Sequence, residues 1–343
     1  MPPWSVYTGT REPHDDIDTL PPPPPWRDFD GGPTLSAPQD GDDEAAVSPD
    51  RVHRAKTYVA TDESVQLVNA ALVLRRPLLV TGPPGTGKSS LAYAVARELR
   101  LGPVLRWNIT SRTALADGLY QYDPLSRLYA ARQAAARPDE VVPAADDVED
   151  HLRLGPLGTA LLPYDRPRVL LIDEIDKSDL DLPNDLLNVL EEGQYEIPEL
   201  LRATRHAPDG GTAEVLADGS DTPVTVGRGR VRCRAFPFVV LTSNGEREFP
   251  PAFLRRCVRL ELRRPGREQL VDIVRAHLGS AADEAGPVIE RFLKRASGGE
   301  LATDHLLNAL YLTGVAGLDA ASRDALAERL MPHLGAAADG DGL

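Results

Sequence analysis

The stretch GPPGTGKS, residues 82–89, constrains the fold of this chain more than any other part of the sequence. An apolar run, PLLVTG, leads into it and an amphipathic segment, SSLAYAVAREL, follows it, which predicts a buried strand, a glycine-rich loop and a helix. Glycines let the backbone direct several N–H groups at one anion, and the positive end of the following helix attracts the same anion. The sequence therefore predicts a phosphate-binding loop.

The order of residues in this loop assigns a role to its last positions. In loops of this pattern the lysine reaches the β- and γ-phosphates of a nucleotide, and the next hydroxyl ligates Mg²⁺, so we expect these roles for Lys88 and Ser89. A glycine- and proline-rich turn that matches by chance is the alternative, which the flanking strand and helix disfavour. The expected cofactors are ATP and Mg²⁺. The predicted nucleotide-contacting residues of the loop are Gly82, Pro83, Pro84, Gly85, Thr86, Gly87, Lys88, Ser89 and Ser90.

A second apolar run, VLLIDE at residues 169–174, ends in two carboxylates. In an open parallel sheet ligands bind at the carboxyl edge of the strands, so this run delivers Asp173 and Glu174 to the edge that carries the phosphate loop. We expect Asp173 to hold Mg²⁺ through water and Glu174 to orient and polarise the attacking water. A solvated acidic pair at a strand end is the alternative.

Composition limits the classes of protein that remain. The chain has 343 residues, 42% of them hydrophobic, and a formal net charge of -14, which disfavours binding to nucleic acid because phosphate repels an acidic surface. Two cysteines in a chain of this size disfavour a disulfide framework and a cysteine metal site. No apolar run is long enough to span a membrane, and the expected location is the cytoplasm.

The pattern changes along the chain and predicts four parts. Residues 1–49, with LPPPPPWRDFD and an acidic, glycine-rich stretch, predict an extended arm. It is either a disordered tail or a docking arm anchored by Trp4, Trp26 and Phe29, on this chain or on a partner. Residues 50–265 alternate strands and helices and predict an α/β domain with a parallel sheet, with insertions near 119–162 and 197–231. Residues 266–335 are helical throughout and predict a small all-α domain, and residues 336–343 predict a disordered tail.

Together, GPPGTGKS, VLLIDE, VVLTSN and FLRRC, followed by an all-helical domain, resemble the AAA+ ATPases over nearly everything but the arm and tail. Within that superfamily the segments LGPLGTALL and LLNVLEEGQYEI resemble the MoxR-like ATPases. The resemblance implies an αβα sandwich followed by a helical lid, and ATP hydrolysis with Mg²⁺.

The resemblance also implies roles for residues outside the two strands. Asn244 matches the sensor 1 position beside the γ-phosphate, and Tyr58 and Val59 match the lining of the adenine pocket. Arg255 and Arg256 match the arginine-finger region, where an arginine reaches the ATP of the neighbouring subunit; Arg256 is favoured, with Arg255 close behind. The late lid helix begins GELATDHLL, without the arginine that the family places there, so no sensor 2 residue is assigned.

A finger that acts between subunits implies a homo-oligomer, usually a hexameric ring. The function implied first is a chaperone-like remodeller of a protein client, such as one with a von Willebrand factor A domain, with Tyr120 and Tyr122 either gripping that client or packing in the core. A DNA-directed motor of a restriction or defence system is the alternative, with GRGRVRCR at residues 227–234 as its basic hairpin. A nucleotide-gated assembly scaffold is a third possibility.

Overall fold

The structure is a computed structural model that describes residues 4–38, 48–136, 148–204, 211–279, 285–296 and 302–315. Some residues of the predicted parts lie outside these ranges: 1–3 and 39–47 of the arm, 137–147 and 205–210 of the two insertions, 280–284, 297–301 and 316–335 of the helical part, and the tail at 336–343.

Five parallel strands form the central sheet of the α/β domain. The strands are β1 (Leu78–Thr81), β2 (Leu105–Asn108), β5 (Val169–Asp173), β10 (Phe238–Ser243) and β11 (Val258–Glu261). Their spatial order is β11-β1-β10-β5-β2, with Leu78 opposite both Val240 and Val258, and Leu170 opposite Leu105. The phosphate loop follows β1, and the acidic pair closes β5, so one sheet edge receives both.

Alternating side chains of the three inner strands, β1, β10 and β5, enter two separate hydrophobic cores. Leu170 and Ile172 of β5 belong to one core, whereas Val169 and Leu171 belong to the other. Because both faces are covered, all five residues of β5 are buried, which accounts for a continuous apolar run rather than an alternating pattern.

Helices cover both faces of the sheet and then form a third core of their own. The helices of the α/β domain are α1 (Pro49–Thr57), α2 (Asp62–Leu74), α3 (Lys88–Glu98), α4 (Leu115–Leu119), α5 (Pro124–Ala136), α6 (Pro156–Ala160), α7 (Leu182–Glu192), α8 (Pro198–Ala203) and α9 (Pro251–Leu254). The helical part consists, within the described residues, of α10 (Arg267–Leu278), α11 (Gly286–Ala296) and α12 (Thr303–Val315), which pack around Leu270, Phe292 and Leu306. The predicted fold class, an α/β P-loop domain with a parallel sheet followed by helices, is confirmed.

The segments predicted as insertions contribute two small sheets. One contains β3 (Tyr120–Tyr122), β4 (Leu152–Leu154), β7 (Thr212–Leu216) and β8 (Pro223–Gly227), and the other pairs β6 (Gln194–Glu196) with β9 (Arg230–Arg232). Tyr120 and Tyr122 are half-buried in β3, where they pack against the first core, and the Tyr120 hydroxyl donates to Glu199 at 3.0 Å. This packing favours the structural interpretation of the two tyrosines.

The N-terminal segment, residues 4–38, packs along the α/β domain. Val6, Tyr7 and Ile17 enter one core and Phe29 enters the other. Of the three expected anchors only Phe29 is buried; Trp26 is 75% exposed and Trp4 is 37% exposed, so neither tryptophan is buried as an anchor on this chain, and anchoring on a partner stays a prediction.

The reason is that a short 3₁₀ turn, Pro25–Arg27, directs the arginine inward instead of the tryptophan. The Arg27 guanidinium donates to the backbone carbonyls of Arg75, Leu190 and Glu191 and lies 4.5 Å from the ring centroid of Phe236. Backbone acceptors and an aromatic face together satisfy a cation that burial would otherwise destabilise.

Glu98, at the end of α3, fastens the start of this segment. Its carboxylate is fully buried and accepts hydrogen bonds from the backbone N–H groups of Thr8, Gly9 and Arg11, at 2.6, 3.0 and 2.8 Å. The Thr8 hydroxyl donates to the same carboxylate at 2.8 Å. Such bonds to a charged acceptor are about twice as strong as neutral ones.

Replacing Glu98 by alanine is expected to lower the free energy of unfolding by about 3 kcal/mol, because three partly buried backbone N–H groups and the Thr8 hydroxyl lose their common acceptor. Urea denaturation measures the loss, and limited proteolysis shows whether cleavage begins within residues 4–38. Glu12→Ala, on an exposed position of the same segment, is the control. Equal midpoints for Glu98→Ala and the control would show that the segment is not fastened at Glu98.

Within the described residues, no helix combines the length and apolarity needed to cross a bilayer.

Candidate functional site

A cavity of about 680 Å³ lies between the carboxyl edge of the sheet and the helical part. The phosphate loop forms its floor, the acidic pair and Asn244 form one side, and α10 and α12 form the other. The residues predicted from the sequence that line this cavity are Tyr58, Val59, Pro84, Gly85, Thr86, Gly87, Lys88, Ser89, Ser90, Asp173, Glu174 and Asn244. Gly82 and Pro83 lie at the start of the same loop, and their carbonyls accept from Lys88.

The loop has the backbone geometry that its glycines were expected to provide. Gly85 and Gly87 have φ values of 74° and 85°, in the left-handed region that side chains with a Cβ avoid. The Lys88 ammonium donates to the carbonyl oxygens of Gly82 and Pro83 at 2.7 and 2.9 Å. Burial lowers the pKa of Lys88, an effect that Asp176, Asp173 and Glu174 oppose.

Asp173 is the most densely contacted carboxylate of the site. Its Oδ1 accepts from the hydroxyls of Ser89 and Thr242, both at 2.7 Å, and its Oδ2 accepts from Arg106 at 2.8 Å. Burial alone would raise the pKa of Asp173, but these three hydrogen bonds outweigh it and the pKa is lowered. The group is therefore a carboxylate at neutral pH.

The donor set beside Asp173 fits a magnesium ion. The Ser89 hydroxyl and the Asp173 carboxylate are in hydrogen-bond contact at the cavity wall, and hard oxygen ligands of this kind are those that Mg²⁺ prefers. Mg²⁺ keeps several waters and needs few protein ligands, so these two residues suffice on the protein side.

Glu174 follows β5 in a left-handed conformation with φ of 62°. Its backbone N–H donates to the Thr242 hydroxyl at 2.9 Å, and its carboxylate, half-exposed, accepts from Lys177 Nζ at 2.7 Å. The hydrogen bond to Glu174 is the main cause that raises the pKa of Lys177. In this conformation Glu174 lines the cavity.

Asn244 is held in place by Asp176, a residue without a role predicted from the sequence. Asp176 is 3% exposed, and its Oδ2 accepts from the backbone N–H groups of Asn244 and Glu246, at 2.9 and 3.2 Å. A buried carboxylate thus fixes the turn that follows β10 and sets the position of Asn244 at the cavity.

The helical part packs directly on the phosphate loop. A Cβ added at Gly85 would lie 2.7 Å from the Ala302 Cβ and 2.9 Å from the Thr303 nitrogen, so only glycine permits this approach.

Gln269, Ile273 and His277 of α10 also line the cavity. His277 Nδ1 lies 3.0 Å from His53 Nε2 of α1, and burial together with His53 lowers the pKa of His277 to about 4. The neutral His277 ring can therefore share a hydrogen bond with His53 and link the two parts.

Neither arginine of the predicted finger pair lines this cavity. Arg256 donates to the Glu191 carboxylate on α7 at 2.5 Å, which raises the pKa of Arg256 and lowers the pKa of Glu191. The Arg255 side chain is exposed and forms no ion pair with the residues that the structure describes. Both arginines lie apart from the chain's own cavity.

Three residues that form the site were missed at the sequence level. Thr242 joins β10 to both acidic residues, Arg106 of β2 contacts Asp173, and Asp176 holds Asn244. The one signal that pointed to Thr242 was its place in the polar end of an otherwise apolar strand. Arg106 carries no such signal, because only the β2–β5 pairing brings it to Asp173.

The fold and the loop define a P-loop nucleotide-binding α/β domain. The sequence model of the AAA domain (dynein-related subfamily) matches residues 77–257, more than half of the chain. The chain therefore belongs to this family of AAA+ ATPase domains. No curated protein matches the sequence significantly.

Two solved structures were compared with the chain. A protein from Cytophaga hutchinsonii, provisionally assigned as an ATPase, is 14% identical with a TM-score of 0.36, over 66% of this chain and 53% of that chain. NtrX from Brucella abortus, in complex with ADP, is 15% identical with a TM-score of 0.39, over 82% of this chain and 56% of that chain. The chain thus spans little more than half of each protein, and similarities this distant bear on neither its fold nor its function.

Proposed function

We propose that the chain binds and hydrolyses ATP with Mg²⁺ in the cavity between the phosphate loop and the helical part. The observation that carries this proposal is the convergence of Lys88, Ser89, Asp173, Glu174 and Asn244 on one cavity. Membership in the AAA family supports the same reaction.

In this proposal each residue has one task. Lys88 and the loop N–H groups bind the phosphates, and Ser89 and Asp173 hold the metal, which supplies positive charge to the phosphate oxygens when bound. Glu174 accepts a hydrogen bond from the attacking water and Asn244 orients that water or the γ-phosphate. Tyr58 and Val59 line the end of the cavity proposed for the adenine.

We propose further that the protein works as a homo-oligomeric ring, in which one of the two finger candidates, Arg255 or Arg256, reaches the neighbouring subunit. Arg256 forms an ion pair with Glu191, whereas Arg255 is exposed and has no ion-pair partner among the described residues. This difference favours Arg255 over Arg256 as the residue that reaches a neighbouring subunit's ATP. A cation at the γ-phosphate stabilises the charge that builds up during phosphoryl transfer.

Arg255→Ala is expected to lower ATP turnover at least about tenfold, more than Arg256→Ala does, because one charge-assisted contact to the transition state is lost. Mixing Arg255→Ala subunits with Lys88→Ala subunits should restore part of the activity, since a mixed interface joins an intact finger to an intact phosphate loop. Phosphate release measured across a series of mixing ratios tests this. Absence of rescue at every ratio would contradict a finger that acts between subunits.

The biological role that we propose is that of an oligomeric, MoxR-like remodeller of a protein client, such as one with a von Willebrand factor A domain. Two features support the finer assignment. The LGPLGTALL segment contains the buried α6. LLNVLEEGQYEI forms the second half of α7, which ends at Gly193 with φ of 61°, and β6, which pairs antiparallel with β9. The expected cytoplasmic location belongs to the same proposal.

The DNA-directed alternative finds less support. In its candidate hairpin, Arg230 pairs with Glu196 at 2.9 Å and Arg232 pairs with Asp30 at 2.7 Å. Arginines that already face carboxylates offer less charge to phosphates, and the chain is acidic as a whole.

A further inference from the structure

Arg106 is a cation in the site to which the proposed reaction assigns no role. It lies in β2, next to β5, and its Nη2 donates to Asp173 Oδ2 at 2.8 Å. Its side chain is 34% exposed and lines the same cavity as Lys88 and Ser89. A permanently charged guanidinium therefore lies at the phosphate end of the cavity.

The contact between Arg106 and Asp173 reduces the number of lone pairs that the carboxylate can offer to a metal ion. Oδ1 accepts from two hydroxyls, those of Ser89 and Thr242, which occupy both of its lone pairs. Oδ2 accepts from Arg106 and keeps one lone pair. A divalent cation that approaches this carboxylate therefore shares Oδ2 with a guanidinium, and the two positive charges repel each other.

The position of Arg106 is not one that stability alone favours. Its Nε is buried and has no hydrogen-bond partner among the described residues. An apolar side chain on β2 would leave no such unsatisfied donor. Arg106 thus pairs with Asp173 while one of its own donors stays unsatisfied, and its guanidinium lines the cavity.

We propose that Arg106 is a positioning residue that supplies protein-borne positive charge to the nucleotide phosphates and competes with the divalent cation for Asp173. The inference rests on the proposed nucleotide site. If Arg106 has this role, nucleotide binding depends less on Mg²⁺ than it would in a protein without a cationic side chain beside Asp173. The ligand class is the polyphosphate of a nucleoside di- or triphosphate.

The test measures the affinity of a fluorescent ATP analogue in excess Mg²⁺ and in excess chelator. Arg106→Gln keeps a donor but removes the charge, and is expected to weaken binding in chelator about tenfold or more, as for one lost charge-assisted contact. In excess Mg²⁺ the change should stay within about threefold, and the Mg²⁺ concentration for half-maximal binding should fall. Arg106→Lys should behave like the wild type.

Arg153→Gln is the matched control, because Arg153 is also a strand arginine paired with an aspartate, Asp221, but lies outside the cavity. Equal weakening with and without Mg²⁺ in Arg106→Gln would show a structural role and overturn the inference, as would no change in either condition. A wild type that binds nucleotide in neither condition would instead overturn the proposed function.

A second variant covers the case in which Arg106→Gln fails to fold. Asp173→Asn frees Arg106 from its counter-ion, so binding in chelator should persist or tighten while the gain from Mg²⁺ disappears. Loss of binding in chelator, with the variant shown to be folded by its thermal melt, would contradict the inference.

Discussion

Replacement of Glu174 by glutamine is expected to leave ATP binding nearly unchanged and to lower ATP turnover about 10²–10⁴-fold. Glutamine has almost the shape of glutamate but is neither a base nor an anion, so it cannot polarise the attacking water. The side chain is half-exposed at the cavity wall and its carboxylate pairs with Lys177, whereas the hydrogen bond to Thr242 comes from the Glu174 backbone N–H. The substitution therefore disturbs little of the fold.

Phosphate release at saturating ATP measures this loss, and the same variant should hold ATP long enough to trap the assembled form in sedimentation. Glu12→Gln, the same substitution at an exposed position outside the cavity, is the control. Turnover at the wild-type rate in Glu174→Gln would mean that another group positions the water.

Replacement of Lys88 by alanine is expected to weaken ATP binding at least about a hundredfold, because the phosphates lose a charge-assisted donor in a partly buried site. The ammonium lies against the loop carbonyls of Gly82 and Pro83, with Asp173 and Asp176 nearby to hold its charge. Nothing else in the loop itself carries a positive side chain.

Equilibrium titration with a labelled nucleotide measures the change. Lys56→Ala, an exposed lysine on α1, is the matched control and should bind like the wild type. If Lys88→Ala binds ATP with unchanged affinity, the phosphate-loop interpretation of residues 82–89 is wrong.

The parts of the site that the sequence predicted are those encoded in short stretches of chain. The loop between β1 and α3 needs its glycines, lysine and serine in one order, and the apolar run of β5 ends on its two carboxylates. Parallel strands end at a common edge, so knowledge of the two strands was enough to place these groups together.

The other contacts of the site depend on which strands become neighbours in the sheet, and no local sequence pattern encodes the strand order. The contacts of Arg106 and Thr242 with Asp173 follow from β2 and β10 lying on either side of β5. Likewise, the pairing of Arg256 with Glu191 spans 65 positions in sequence.

The packing of the N-terminal segment on the α/β domain was not predicted, and the composition of the segment explains why. Proline and acidic residues predict weak burial, yet residues 4–38 place four apolar side chains in the cores of the α/β domain. The buried acceptor Glu98 and the inward-facing Arg27 supply the polar contacts that such a segment lacks by itself. The position of Trp26 beside prolines did not predict which side chain is buried, because the local backbone turn determines whether Trp26 or its neighbour Arg27 faces inward.

The central claim is that one ATP binds in the cavity of each chain and is hydrolysed there. Calorimetric titration of ATP into the protein in Mg²⁺, combined with phosphate release on the same sample, tests it most directly. We predict about one ATP per chain and steady phosphate release that depends on Glu174. Absence of binding at millimolar ATP, or binding without any phosphate release, would contradict the account.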